Sequence, residues 1–131
     1  MAGSISFELV TPERRLAAME ASEVVVPGSE GDFTAMAEHA PIVTMLRPGI
    51  LRASGGGETR EFVVTSGFVE VNASSVSVMA EEAFPRETVT REEVEAVLER
   101  ARAKLAEAPE DERDVGEKMV ADLVHLIEMM E

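Results

Sequence analysis

The sequence predicts an α+β fold, with an N-terminal antiparallel β-sandwich or flattened barrel followed by a C-terminal antiparallel two-helix hairpin. Three observations predict it. From Ile5 to about Phe84 apolar residues recur with a period near two, broken about every 8 to 12 residues by turn signals. After Pro85 the period changes to the three-and-four spacing of an amphipathic helix. Two such helical stripes are then joined by a short charged stretch, the pattern of two antiparallel helices.

Ile5, Phe7 and Leu9 alternate with Ser4, Ser6 and Glu8, so a strand here places its apolar set on one face. Val24-Val25-Val26 is the next strong strand signal, and the Pro27-Gly28 pair after it predicts a turn. Ile50-Leu51-Arg52-Ala53 and Arg60-Glu61-Phe62-Val63-Val64 flank Ser54-Gly55-Gly56-Gly57-Glu58, which reads as a hairpin connection. A phosphate cradle at the triple glycine would need a following helix and a Gly-Lys-Ser/Thr, and strand formers follow instead. Phe68-Val69-Glu70-Val71 and Val76-Ser77-Val78-Met79, with Asn72-Ala73-Ser74-Ser75 between them, make a further hairpin.

Thr90-Arg91-Glu92-Glu93 has the form of a capping box, in which the threonine oxygen and Glu93 satisfy each other's backbone N–H groups. Val94, Val97, Leu98, Ala101 and Leu105 form the stripe of the helix that follows, and Ala108-Pro109 ends it. Pro109 to Asp114 reads as a charged turn. A second helix is expected from about Asp114 to the end, with Val115, Met119, Leu123, Leu126, Ile127 and Met130 as its stripe and Gly116 weakening its first turn. Neither helix is long enough to be stable alone in water, so each must pack on something. The change of period between residues 85 and 89 divides the chain into residues 1–86, the sandwich, and residues 87–131, the hairpin.

Composition narrows the function. At 131 residues the core is modest; aromatic residues are 4% with no Trp or Tyr, so aliphatic side chains and Met fill the interior and base-stacking residues are few. Twelve basic residues against 26 acidic ones give a net charge of −14, which repels nucleic acid and anionic lipid, so neither nucleic-acid binding nor direct lipid insertion is expected. The charge is spread evenly: residues 1–89 and residues 90–131 each carry 13 acidic and 6 basic side chains. No Cys is present, and His39 and His125 cannot by themselves build an ordinary zinc site, so no metal is expected. Met1-Ala2-Gly3-Ser4 lacks the basic, apolar start of a secretion signal, and no apolar run reaches about 18 residues, which points to a soluble, cytoplasmic protein. Catalysis has no recognisable constellation: Glu81-Glu82 stand without context, and Thr65-Ser66-Gly67 falls short of a nucleophile elbow that could use His39 and Asp32.

The most informative stretch is Gly28-Ser29-Glu30-Gly31-Asp32-Phe33, then His39-Ala40-Pro41, then Leu46-Arg47-Pro48-Gly49. Glycines flank two carboxylates in a tight loop, with a proline-anchored turn close behind, which describes a rigid docking surface on a small β-domain. Together with Phe68-Val69-Glu70-Val71 and Val76-Ser77-Val78-Met79-Ala80-Glu81-Glu82-Ala83, it resembles the epsilon subunit of bacterial F-type ATP synthases. The chain departs from that family where Ala37-Glu38 stands in place of a frequent Pro-Gly pair, and Ser66-Gly67 in place of two glycines. Both departures should change local turns and leave the fold intact.

The resemblance implies a sandwich of about ten short strands, no catalytic site and no cofactor. It implies a place on the central rotor stalk of the proton-translocating synthase, peripheral to the cytoplasmic face of the bacterial inner membrane. There the sandwich grips the gamma subunit and touches the membrane ring of proton-carrying subunits, coupling ring rotation to ATP synthesis. The ring contact carries over to Glu30, Gly31, Asp32 and His39. The gamma contact is expected on Pro41, Ile42, Val43, Thr44, Met45 and Leu46 and on the adjacent strand. In several relatives the hairpin opens beside gamma and the catalytic beta subunit and blocks ATP hydrolysis, using basic residues. Here Lys118 stands alone among Glu117, Asp122, Glu128 and Glu131, so only a weak brake is expected. Some relatives also bind ATP through an Ile/Leu-Asp-x-x-Arg-Ala motif. The matching positions read Arg91-Glu92-Glu93-Val94-Glu95-Ala96, with Glu95 in place of the arginine, so no useful ATP affinity is expected. The rival reading is a free-standing acidic interaction module, with a Met-rich helix carrying Met119, Met129 and Met130.

Overall fold

In a computed structural model, which describes residues 3–130, the alternating runs become strands β1 (Ile5–Val10), β2 (Arg15–Ala21), β3 (Glu23–Gly28), β4 (Gly31–Ala35) and β5 (Ile42–Leu46). They continue as β6 (Gly49–Gly55), β7 (Glu58–Val64), β8 (Gly67–Val71), β9 (Ser75–Ala80) and β10 (Ala83–Pro85). Helix α1 (Arg91–Ala106), a single 3-10 turn at Glu110–Glu112, and helix α2 (Arg113–Met129) follow. Readings that fell on Met1, Ala2 and Glu131 lie outside the described residues. The chain divides into two compact units between Glu87 and Thr88.

The strands form two layers of a sandwich. One runs β4-β3-β6-β7-β10 and the other β5-β8-β9-β1-β2. The path between them passes through one residue pair, Gly28 with Leu46. Ile5, Phe7 and Leu9 are buried, as their alternation predicts, and face Val24, Val26, Leu51, Phe62, Val69 and Val78 in one core. The rings of Phe7 and Phe62 lie 6.5 Å apart between centroids, a tilted pair at its centre. Burying each such side chain contributes about 1.5–3 kcal/mol, which lets an aromatic-poor sequence close a small sandwich.

The pairing is antiparallel with one exception: β1 lies parallel to β9, with Phe7 beside Val76 and Leu9 beside Val78. A hairpin forces antiparallel neighbours, but these two strands are separated by most of the sandwich sequence, so burial alone sets their direction. The Gly56-Gly57 turn of the β6–β7 hairpin has φ of 61° and 79°, the conformation that its glycines were expected to supply. Between β8 and β9 the Asn72 side chain accepts hydrogen bonds from the amides of Ser74 and Ser75, at 3.0 and 2.9 Å.

In the helical unit, Thr90 caps α1 as a complete capping box: Glu93 N–H donates to Thr90 Oγ1 at 3.1 Å and Thr90 N–H to Glu93 Oε1 at 2.9 Å. Val94, Val97 and Leu98 are buried on α1, and Leu123, Leu126 and Ile127 on α2. Three sequence expectations need correction. The charged turn is shorter than Pro109 to Asp114, because Arg113 already belongs to α2; that helix therefore carries a second cation besides Lys118. Val115, expected in the stripe, is 73% exposed, because at the first turn of α2 it is the next residue, Gly116, that faces Leu105 of α1. Gly116 does more than weaken a turn. A Cβ there would lie 2.9 Å from Leu105 Cδ1, so its missing side chain lets α1 approach.

Candidate functional site

The acidic loop is a two-residue hairpin. Strand β3 runs on through Pro27 and Gly28, and Gly28 pairs with Gly31, leaving only Ser29 and Glu30 as the turn. The expected turn at Pro27-Gly28 thus falls one step later, and Asp32 sits on β4 opposite Pro27. Gly31 has a φ of 133°, which a side chain would resist. A Cβ on Gly28 would come within 2.8 Å of the Gly31 carbonyl and 3.1 Å of Phe33 Cε1, so the closure depends on glycine at both ends.

Glu30 is exposed at the tip. Asp32 is also exposed, yet its carboxylate forms an ion pair with Arg47, whose Nε donates to the Gly28 carbonyl at 3.1 Å. His39 is half-buried behind the hairpin. Its ring lies 6.2 Å from that of Phe33, and its Nδ1 is 2.6 Å from the Ala40 carbonyl, which makes it the donor there. The preceding Glu38 has a φ of 68°, the one positive φ of a non-glycine among the described residues. This is the position where the Pro-Gly pair would place its glycine.

A second surface lies on the layer that contains β5. Register places Met45 opposite Phe68, Phe68 opposite Met79, and Met79 beside Val10, so four apolar residues cross four strands in one row. Met45, Phe68 and Met79 are 59%, 41% and 47% exposed, and Val43, two residues from Met45 on the same face, is 68% exposed. On a chain of net charge −14 with few aromatics, an outward Phe between two outward Met is a patch that calls for a partner. Within the segment Pro41–Leu46, Val43 and Met45 point outward, Pro41 and Ile42 are exposed where the strand begins, and Thr44 is half-buried. Leu46 is in the core and offers no contact surface. Phe68 and Met79 escaped a residue-level reading, because only cross-strand register reveals that they extend the Met45 face.

Between α1 and α2 lies a groove of about 490 Å³, lined by Arg91, Glu95, Leu98, Glu99, Arg102, Val124, Ile127 and Glu128. Its two guanidiniums are already matched: Arg91 Nε lies 3.0 Å from Glu95 Oε2, and Arg102 Nη1 lies 2.8 Å from Glu99 Oε2. With Glu128 as a third carboxylate, a polyphosphate would meet more negative charge than positive. On α2, Lys118 Nζ is 3.4 Å from Asp122, and Arg113 Nη1 donates to the Leu105 carbonyl at 3.3 Å. Among the described residues no three His, Cys, Asp or Glu are arranged to hold a metal, and no helix is long and apolar enough to cross a membrane.

Residues 4–86 match the family model described as ATP synthase, Delta/Epsilon chain, beta-sandwich domain. Similar curated proteins include the ATP synthase epsilon chain of Cereibacter sphaeroides, 46% identical over 126 residues, covering 96% of each chain. The ATP synthase epsilon chain of Paracoccus denitrificans is 42% identical over 132 residues, which is 100% of this chain and 88% of that one. Among solved structures, a chain in the Euglena gracilis mitochondrial ATP synthase, OSCP/F1/c-ring in rotational state 1, is similar with a TM-score of 0.73 and 28% identity. The match covers 100% of this chain and 84% of that one. A chain in the central stalk/c-ring of the Tetrahymena thermophila mitochondrial ATP synthase shares the fold, at a TM-score of 0.65, 18% identity, and 95% and 94% coverage.

Proposed function

The chain belongs to the ATP synthase epsilon chain family, and from that premise we propose that it is a non-catalytic part of the rotor, coupling ring rotation to ATP synthesis. It binds the gamma subunit through the row Met45, Phe68 and Met79 with Val43, the face that begins on the segment Pro41 to Leu46. It meets the membrane ring through the hairpin tip at Glu30, Gly31 and Asp32, with His39 bracing the tip from behind through Phe33. The working position is peripheral, on the cytoplasmic face of the bacterial inner membrane, without insertion into lipid. Any contact of the helical hairpin with the catalytic beta subunit brakes hydrolysis weakly, since Lys118 and Arg113 are engaged within the unit and the rest of α2 is acidic.

The single observation that carries this reading is the exposed apolar row. Burying an aromatic residue flanked by two Met gives a stable contact of the kind that concentrates binding energy, and the acidic surroundings exclude nucleic acid and anionic membrane as its cover. The test is binding of the full chain to purified gamma subunit. Phe68→Glu and Met45→Glu should each weaken it more than about tenfold, while the folded far-ultraviolet signal is kept. Unchanged affinity in both variants would refute the assignment of this face.

A further inference from the structure

The Arg47 side chain ties the hairpin tip to the rest of the sandwich. Arg47 follows Leu46, whose pairing with Gly28 is the point where the two layers join. The Arg47 amide donates to the Pro27 carbonyl at 3.0 Å, its Nε donates to the Gly28 carbonyl at 3.1 Å, and its Nη2 is paired with the Asp32 carboxylate. One residue therefore holds both arms of the hairpin, β3 through its backbone carbonyls and β4 through a carboxylate. The Ser29 amide adds a bond to the Met45 carbonyl at 2.8 Å. Of the two acids at the tip, Asp32 is thus engaged, and Glu30 has no ion pair or hydrogen bond among the described residues.

We infer that Arg47 is a positioning residue for ring docking, and that Asp32 serves as its anchor instead of touching the ring, leaving Glu30 as the acid presented outward. The inference rests on the reading that this tip docks on the ring. A two-stranded projection bends at its base unless it is braced, and a joint that carries torque slips if its tip yields. Arginine suits the brace because its planar fork reaches two acceptors at once, whereas a lysine ammonium would act as a point charge. The pair is partly solvated, with 29% of the Arg47 side chain and 58% of the Asp32 side chain exposed, so its main effect is on direction and little on overall stability.

Charge alone and positioning make opposite predictions. Removing Arg47 makes the tip more negative, which on charge alone would strengthen attraction to any basic or polar partner; loss of the brace weakens binding.

The test measures affinity of full-length variants for isolated rings of proton-carrying subunits, alongside amide relaxation of Ser29, Glu30 and Gly31. Arg47→Ala and Asp32→Ala are each expected to weaken binding by about tenfold and to raise tip mobility, with Arg47→Lys recovering part of the loss. Exchanging the pair, Arg47→Asp with Asp32→Arg, keeps the link to β4 but loses the donor to the Gly28 carbonyl, so it should recover part of the affinity and part of the tip's rigidity relative to either alanine variant. Glu30→Lys should weaken binding with the tip still rigid. The inference fails if Asp32→Ala weakens binding while Arg47→Ala does not, or if the exchanged pair regains rigidity without regaining affinity, since Asp32 would then touch the ring itself. If Glu30→Lys and all the other variants bind like the parent, ring docking through this tip fails and the inference falls with it.

Discussion

Replacing Glu38 by Gly should stabilise the sandwich. At a φ of 68° an L-residue costs about 1–2 kcal/mol relative to its right-handed alternatives, and glycine carries no such cost. Against that gain, glycine loses about 0.5–1 kcal/mol more conformational entropy on folding. The bond from the Glu38 amide to the Ala73 carbonyl at 2.8 Å is made by backbone and survives the change. The Glu38 carboxylate is exposed and has no ion pair among the described residues, so little side-chain interaction is lost. The net is a gain of about 0.5–1 kcal/mol, which at an ordinary urea slope of roughly 1–3 kcal/mol/M moves the midpoint upward by about 0.2–1 M. Urea titration followed by NMR signals of sandwich amides reads this unit separately from the helices. Glu38→Ala is the control, since it removes the charge and keeps the Cβ; it should shift the midpoint by much less. If the Gly variant gains no more than the Ala variant, the left-handed turn is unstrained and the reasoning is wrong.

Thr90→Ala breaks the capping box and should cost the helical unit about 1 kcal/mol, seen as faster hydrogen exchange at the Glu93 amide; equal protection would contradict the cap's role. Gly116→Ala gains about 1 kcal/mol of helix propensity and must displace Leu105 Cδ1, the end of a half-buried flexible side chain. A net gain of about 0.5 kcal/mol is expected in thermal melting, and a loss would mean that Leu105 has no room to turn. Calorimetric titration with ATP should give no binding heat in the micromolar range, because both groove arginines are matched by carboxylates; a micromolar Kd would overturn that account.

Much of the candidate site was legible in the letters, for a physical reason. Gly31 must be glycine to turn with positive φ, and Gly28 because its Cβ would strike the Gly31 carbonyl, so the tight turn between Val26 and Phe33 announced itself. What the letters could not show was where that turn begins or what holds it. Asp32 looked free beside Glu30, and its pairing with Arg47, fifteen residues away, exists only once β5 returns to Gly28. The resemblance assigns His39 to the ring contact, and only the structure shows its ring beside Phe33 with Nδ1 bonded to the Ala40 carbonyl.

Local chemistry alone determined the fold class: a period of two from Ile5 to Phe84, the Thr90 capping box, and the two helical stripes, Val94 to Leu105 and Val115 to Met130. Each is a property of neighbours along the chain, fixed by backbone geometry within a few residues. Tertiary structure decided the parallel seat of β1 beside β9, the alignment of Met45, Phe68 and Met79 into one face, and the fit of Gly116 against Leu105. Those depend on which distant segments bury their apolar sides together, and a strand's own pattern says which face is buried without saying whose strand lies next to it.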